Sequence, residues 1–397
     1  MTLHWILFGS LSTGSSRIHG HRIHEELLRQ GYDSRLLVTP PHDVQMYDLP
    51  WTNPERLAES NAIAEGDTVI FETVRGERAR RFAVALKQKG VKVCFLECDL
   101  YPESELANSA SIILCTSRYL ADEMHKRHSE VPIEMIPDPV EDLLRSEELP
   151  VRVRKETSGL RIAWMGQEGH WETLDEVRTI LHDPEFRDMR LTTVSNHPQA
   201  ELLWSPQTAL SLLRSSDILV VPTSQSTQAL AKSSNRVVQG MALGCVVLAG
   251  DLPAYREVIE SGTNGFICRT SEEWREALRT VRDVGRRRSL VHKGHQRVAE
   301  EFGLAPITRR YAEVLGLTPS VKQTEKSLPA GYLAEQSAEY ACWYLAQHRY
   351  SEGLRWMTAA CCREMNGAGL CSALEVLSQR CRRKLGRIIG NQDPENM

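Results

Sequence analysis

Two kinds of hydrophobic pattern alternate along the first half of the chain. Short apolar runs, which suit buried strands, are followed by longer stretches in which apolar residues recur every three or four positions, as on one face of a helix. This alternation predicts strand–helix–strand units around a parallel sheet. The predicted strands are residues 4–8, 34–38, 68–71, 92–96 and 111–115, and the helices between them include Arg22–Arg29 and Glu77–Gln88.

The same alternation restarts after a charged, strand-poor segment, residues 141–158, which indicates an interdomain linker. We therefore predict an α/β protein of two Rossmann-like, doubly wound domains that face a cleft, residues 1–145 and 159–300, with a C-terminal helical extension over residues 330–390. The predicted strands of the second domain are residues 160–165, 190–194, 217–221, 245–249 and 265–268.

Composition narrows the function classes. The 397 residues are 41% hydrophobic, which is enough for two cores, and the 48 basic and 52 acidic residues leave a formal charge of −4. We expect no nucleic-acid partner, because no net positive field is available to hold a phosphate backbone. The first residues lack a cationic signal region, no apolar run reaches the roughly 18 residues of a membrane span, and the ten cysteines form no CxxC pair. These features predict a soluble or peripheral protein of the cytoplasm.

A loop rich in glycine and serine, residues 9–16, follows the first predicted strand. Backbone N–H groups at this edge of a doubly wound sheet line the crevice where ligands bind. We expect the loop to meet an anionic group or sugar hydroxyls, although a loop that only joins strand to helix has the same composition. The candidate binding residues are Gly14, Ser15, Arg17 and His19.

A second loop, residues 164–170, ends the first predicted strand of the second domain. Gly166 and Gly169 would let the backbone approach a ligand closely, and a structural turn would use the same glycines. The position of the loop at the opening of the second domain favours a ligand-binding role, with Gly166 and Gln167 as the candidate residues.

The strongest motif spans residues 231–244. It opens with serines and an asparagine, which begin helices, and the free N–H groups and positive dipole end of such a helix can hold phosphate. Two basic side chains stand at the same place, and a glutamine one turn further would bond a ribose hydroxyl. An ordinary capped helix explains the apolar residues of this segment but not its basic start. The candidate residues are Lys232, Ser233, Ser234, Asn235, Arg236 and Gln239.

Two acidic residues, Glu97 and Asp99, follow a predicted strand of the first domain. A base or a group that orients an acceptor would stand at this edge of the sheet, and solvated carboxylates at strand ends are also common. The pair is too short a signal to predict a metal site.

These motifs, in this order, resemble those of GT-B glycosyltransferases of family four. The resemblance covers roughly residues 1–317. In the second half it is carried by residues 164–166, 217–222, 235–244 and 257–265, and more loosely in the first half by residues 14–20, 27–31, 116–120 and 136–140.

The resemblance implies a nucleotide sugar bound mainly by the second domain and a glycan, lipid-linked or small-molecule acceptor bound mainly by the first. It implies hexosyl-type transfer in the cleft with retention of anomeric configuration, without a metal or another cofactor. Residues 301–318 would form a crossover helix back to the first domain. Lys232 and Arg236 are then the predicted catalytic residues, which stabilise the departing phosphate together with the helix N-terminus.

Two positions depart from the family pattern. The family usually has two glutamates separated by seven residues, where this chain has Ala231 and Gln239, and the basic residue expected after Gly166 is replaced by Gln167 and Glu168. A non-catalytic GT-B module that acts as a binding or scaffold subunit is therefore the alternative to a transferase. A nucleotide-sugar isomerase or hydrolase on the same fold is a third reading, since fold does not fix function.

The end of the chain carries a basic amphipathic pattern over residues 377–389. This pattern fits peripheral contact with the anionic inner face of a membrane, and it equally fits a solvated basic face over a packed apolar one. The sequence predicts no oligomeric state. The basic residues are Arg380, Arg382, Arg383, Lys384 and Arg387.

Overall fold

The computed structural model of the chain describes residues 1–141 except Asp43 and Glu103, then Val153, residues 159–319, and residues 332–362 except His348. Two parallel six-stranded sheets dominate it, which gives an α/β fold of two Rossmann-like domains.

The first sheet has the strand order β2-β1-β3-β4-β5-β6. Its central strand β3 is buried along its whole length, and the facing helix α3 buries Ala79, Phe82, Ala83 and Leu86, which recur with the period of a helix. The strands are β1 (Leu3–Leu7), β2 (Ser34–Val38), β3 (Thr68–Glu72), β4 (Lys92–Glu97), β5 (Ile112–Cys115) and β6 (Ile133–Met135). The helices are a π-helical turn (Ser16–His21) that runs into α1 (Arg22–Arg29), then α2 (Glu55–Glu59), α3 (Glu77–Gln88), α4 (Glu105–Ser109) and α5 (Arg118–Arg127).

The second sheet has the order β12-β11-β10-β7-β8-β9. Its strands are β7 (Arg161–Met165), β8 (Arg190–Ser195), β9 (Leu202–Leu203), β10 (Ile218–Val221), β11 (Val246–Gly250) and β12 (Phe266–Cys268). Its α-helices are α6 (Asp175–Leu181), α7 (Pro206–Ser215), α8 (Thr227–Leu230), α9 (Asn235–Ala242), α10 (Pro253–Val258), α11 (Ser271–Thr280) and α12 (Val284–Arg297). A 3₁₀ segment, Glu168–Leu174, follows β7, and a π-helical turn, Val298–Phe302, follows α12.

The chain crosses between the domains at two points that touch each other. Val140 packs in the core of the second domain, and its N–H donates to the carbonyl of Phe302 at 2.7 Å. Helix α13 (Leu304–Leu315) then returns to the first domain, where Tyr311 packs against Trp5 with ring centroids 6.1 Å apart.

A helical hairpin of α14 (Tyr332–Ala346) and α15 (Tyr350–Cys362) packs on the first domain. Tyr332 contacts the buried Trp51 with ring centroids 5.3 Å apart, and the Tyr344 hydroxyl donates to the carbonyl of His42 at 2.6 Å. The basic residues 380–387 of the predicted extension lie outside the described residues. Among the residues that the structure does describe, no helix is long and apolar enough to cross a membrane.

Candidate active site

The two domains meet at the carboxyl ends of their central strands. Residues just before α9 in the second domain contact residues that follow β4, β5 and β6 in the first. The Ser117 hydroxyl donates to the carbonyl of Ala231 at 2.9 Å, and the Ser233 hydroxyl donates to Asp138 at 2.7 Å. Parallel sheets bind ligands at this edge, so the interdomain cleft is the candidate site.

Helix α9 points its first turn at this cleft. It begins at Asn235, and the side chain of the preceding Ser234 makes no capping hydrogen bond. The Asn235 Nδ2 atom is buried, and no hydrogen-bond partner for it lies within the described residues. The start of the helix therefore keeps donors and a positive dipole end for an anionic group.

Three basic side chains from two segments converge here. Arg236 donates to the Met165 carbonyl at 3.4 Å and to the Tyr255 hydroxyl at 3.1 Å, which holds it between α9 and the end of β7. Burial lowers the pKa of His170, and the nearby positive charges of Arg236 and Lys232 lower it further. Such a cluster would bind the diphosphate of a nucleotide sugar, because charge-assisted hydrogen bonds to phosphate are among the strongest in proteins.

Lys232 already has an anionic partner. Its ammonium group forms an ion pair with Asp99, which follows β4 in the first domain, and side-chain exposures of 39% and 32% leave both groups accessible. Sequence reasoning placed the two residues on opposite sides of the cleft without linking them.

The loop after β7 has a packing reason for its first glycine. A Cβ on Gly166 would come within 2.7 Å of the Trp164 ring, so a larger residue would displace this indole. A Cβ on Gly169 would have no such neighbour within 4 Å. Gln167 lies exposed at the mouth of the loop, and its carbonyl accepts from the His170 N–H at 3.0 Å.

A buried carboxylate forms hydrogen bonds at both ends of the glycine- and serine-rich loop of the first domain. Glu72, at the end of β3, accepts from the Phe8 N–H at 2.9 Å and from the Ser16 hydroxyl at 2.6 Å. Burial raises the pKa of Glu72. Gly14 and Ser15 lie partly exposed near this carboxylate. The sequence did not indicate a role for Glu72, because the Phe8 N–H and the Ser16 hydroxyl that it binds are 64 and 56 positions away in the chain.

Arg17 and His19 do not extend into open space. The Arg17 guanidinium binds Glu141 through two hydrogen bonds of 2.8 and 3.1 Å, and both side chains are buried. His19 Nε2 lies 3.5 Å from Asp138, whose pKa is raised by burial. Arg17 and His19 are therefore already paired with carboxylates of the first domain.

Gln239 is likewise engaged within the protein. Its Nε2 donates to Asn235 at 2.9 Å and to Glu141 at 3.3 Å, and only 8% of the residue is exposed. A ribose would have to displace one of these contacts to use this amide. Glu141, which the sequence placed in a linker, instead ties Arg17 of the first domain to Gln239 of the second.

The described residues include no group of three or more His, Cys, Asp or Glu side chains that could hold a metal ion. The cleft combines basic side chains at a helix start with carboxylates from the other domain.

Comparisons with known proteins agree with this architecture. Residues 161–283 match the model of the family described as Glycosyl transferases group 1. No curated protein sequence matches the chain.

Solved structures are similar in fold at low sequence identity. The structure of Anabaena Alr3699/HepE in complex with UDP and glucose has a TM-score of 0.56 at 12% identity, covering 80% of this chain and 99% of that one. A glycosyltransferase from Rickettsia africae ESF-5 has a TM-score of 0.56 at 13% identity, covering 79% of this chain and 97% of that one. The chain thus has the GT-B fold, and residues 161–283 of its second domain are similar to the Glycosyl transferases group 1 family.

Proposed function

We propose that this protein is a glycosyltransferase that moves a hexosyl group from a nucleoside-diphosphate sugar to a glycan, a lipid-linked acceptor or a small molecule. The observation that carries the proposal is the convergence of Lys232, Arg236 and His170 at the uncapped start of α9, inside a domain similar to the Glycosyl transferases group 1 family. A diphosphate would complement the positive charge of this cluster and the free N–H groups of the helix start.

The donor's diphosphate lies against the start of α9. The acceptor hydroxyl attacks the anomeric carbon from the face that the diphosphate leaves, so the configuration is retained. The bond from the anomeric carbon to the phosphate oxygen breaks, the bond to the acceptor oxygen forms, and the acceptor proton leaves on the phosphate. Lys232 and Arg236 stabilise the negative charge that develops on the departing group.

The donor site also includes Gly166, Gln167, Ser233, Ser234, Asn235 and Gln239. The acceptor side is formed with the support of Gly14, Ser15, Arg17 and His19. Arg17 and His19 are buried and act through their contacts with Glu141 and Asp138. We propose that transfer needs no metal or other cofactor, because the basic cluster supplies the positive charge that a metal would otherwise bring.

UDP is the first nucleotide to test, because the structurally similar HepE is described in complex with UDP and glucose. We propose a cytoplasmic location, which the free cysteines at 94, 98, 115, 245 and 268 support. Contact with the inner face of a membrane through the basic residues 380–387 is a further proposal, and it rests on the sequence alone.

The test is nucleotide release from a panel of nucleoside-diphosphate sugars, with and without sugar and lipid acceptors. A transferase releases nucleotide in proportion to acceptor and forms a glycosylated product with the same anomeric configuration as the donor. Acceptor-independent release would indicate a hydrolase instead.

The alternative is a non-catalytic GT-B module. It is favoured by one observation: the Gln239 amide, at the position of a family glutamate, is already held by Glu141 and Asn235. A folded protein that shows no turnover across the panel, whether or not it binds nucleotide, would favour this alternative.

A further inference from the structure

Three buried carboxylates of the first domain already have hydrogen-bond partners, and two of them, Asp138 and Glu141, also contact the segment around the start of the donor helix. Glu72 holds the Phe8 N–H and the Ser16 hydroxyl, Asp138 accepts from Ser233, and Glu141 binds Arg17. Each of these three is nearly fully buried. Asp99 differs because about a third of its side chain is exposed.

The partner of Asp99 is the lysine that the donor needs. Lys232 and Asp99 form an ion pair across the cleft, and Arg236 contributes further positive charge nearby. A diphosphate placed against Lys232 competes with Asp99 for the same ammonium group. Because like charges repel at short range, donor binding weakens the contact between Asp99 and Lys232.

The surroundings of Asp99 suit an acceptor that carries hydroxyl groups. The rings of Tyr47 and Tyr101 lie 6.3 Å apart, and Tyr47 is 48% exposed. Arg75 stacks 4.3 Å over Tyr101 while it forms two hydrogen bonds with Glu97, so this wall is rigid. Exposed tyrosine rings present an apolar face with a polar rim, which complements a sugar ring.

We propose that Asp99 orients the acceptor hydroxyl, and that the donor diphosphate frees Asp99 for this role by taking over Lys232. This inference rests on the proposed transferase function. Without a donor, the ion pair keeps Asp99 away from the acceptor. With a donor bound, the Asp99 carboxylate accepts a hydrogen bond from the attacking hydroxyl, while the proton still leaves on the departing phosphate.

Replacing Asp99 with asparagine tests separately whether Asp99 competes for Lys232 and whether it orients the acceptor hydroxyl. Asp99→Asn keeps the shape of the side chain but removes the anion that competes for Lys232. We expect nucleotide affinity to rise by about two- to fivefold, the range for loss of an exposed ion pair. We expect kcat for transfer to fall by about 10²-fold and the acceptor KM to rise, since the hydroxyl loses its orienting partner.

The matched control is Glu257→Gln. Glu257 forms another ion pair between the domains, with Arg118 at 3.7 Å, and its side chain is 32% exposed like that of Asp99. This variant loses an interdomain ion pair without touching Lys232, so both affinity and turnover should match the wild type. Urea unfolding of each variant confirms that it is folded.

The outcomes are distinct. Tighter nucleotide binding with slower acceptor-dependent transfer in Asp99→Asn supports the proposal. Weaker nucleotide binding, or wild-type transfer, in a folded Asp99→Asn protein would overturn it while leaving the transferase function intact. A wild-type protein that neither binds nucleotide nor turns over refutes the proposed function itself.

Discussion

At the scale of single residues, His170 is a titratable group of the cleft whose pKa depends on the charges of its neighbours. Burial and the charges of Arg236 and Lys232 lower its pKa, so the imidazole is neutral at neutral pH in the donor-free protein. A diphosphate brings negative charge to the same cluster and raises the pKa of His170. We therefore predict that binding of a nucleotide-sugar donor is coupled to uptake of a proton.

We predict that the affinity for a nucleoside-diphosphate sugar increases as the pH falls. The gain begins as the pH falls through the His170 pKa of the complex and is complete below the lower pKa of the free protein. Calorimetric titrations in buffers of different ionisation enthalpy measure the proton uptake directly. A nucleotide sugar is the right ligand, because it lacks the second phosphate ionisation of a free diphosphate.

His170→Asn is the control for this pH dependence. The variant should bind the donor with no proton uptake and with a flatter affinity profile. Proton uptake of equal size in both proteins would show that another group titrates.

The basic residues of the site were predictable from the sequence, and their partners were not. Lys232 and Arg236 stand within five positions of each other beside helix-starting residues, so a short window of sequence reveals the cluster. Glu141 and Arg17 are 124 positions apart, and only folding brings them together. A charged segment without strand pattern is typical of a linker, so the sequence did not indicate that Glu141 contacts Arg17 and Gln239.

At the scale of elements, the position of α9 is fixed by a glycine against the sheet. A Cβ on Gly240 would lie 2.4 Å from the Leu219 Cδ2 atom and 3.0 Å from the Val247 Cγ2 atom. Leu219 and Val247 are fully buried in β10 and β11, so neither side chain has free space to move into. The absence of a side chain lets α9 approach the strands and sets where its first turn meets the cleft.

Gly240→Ala should therefore destabilise the protein although alanine favours helices. Overpacking of this kind costs about 1–3 kcal/mol of unfolding free energy against roughly 1 kcal/mol gained in helix propensity, so we expect a net loss of up to about 2 kcal/mol. Urea unfolding measures the change, and calorimetry should show weaker nucleotide binding because the start of α9 shifts.

Gly14→Ala provides the matched substitution for stability, since no atom lies within 4 Å of the added Cβ. Its unfolding free energy should stay near that of the wild type. Equal unfolding free energies for Gly240→Ala and the wild type would contradict close packing of α9 on the sheet.

Most strands and the longer helices were predicted close to their observed bounds, and strands β6 and β9 were not predicted. The helices Arg22–Arg29 and Glu77–Gln88 have the bounds that the hydrophobic pattern predicted. Strands β6 and β9 contain three and two residues, too few for any period to show. The π-helical turn Ser16–His21 extends α1 backwards into a glycine- and serine-rich segment, where composition favours a loop.

At the scale of the whole molecule, the surface between the domains suits relative movement. The side chains that bridge the cleft are largely polar or charged, and the two chain crossings touch at Val140 and Phe302, where a hinge would lie. Interfaces of this composition resemble transient ones, so the domains are expected to move when a donor binds. Helices α13 and α14 stay with the first domain, because each packs into its core.

The most direct test of the central claim is calorimetric titration of the purified protein with UDP, GDP, ADP and CMP. We predict that one of them binds with a Kd of about micromolar strength, and that Lys232→Ala weakens binding by about tenfold or more through loss of a charge-assisted hydrogen bond. Lys126→Ala, which removes an exposed lysine paired with Glu123 on α5, should bind like the wild type. If no nucleotide binds to the folded protein, the cleft is not a donor site and a non-catalytic module becomes the better account.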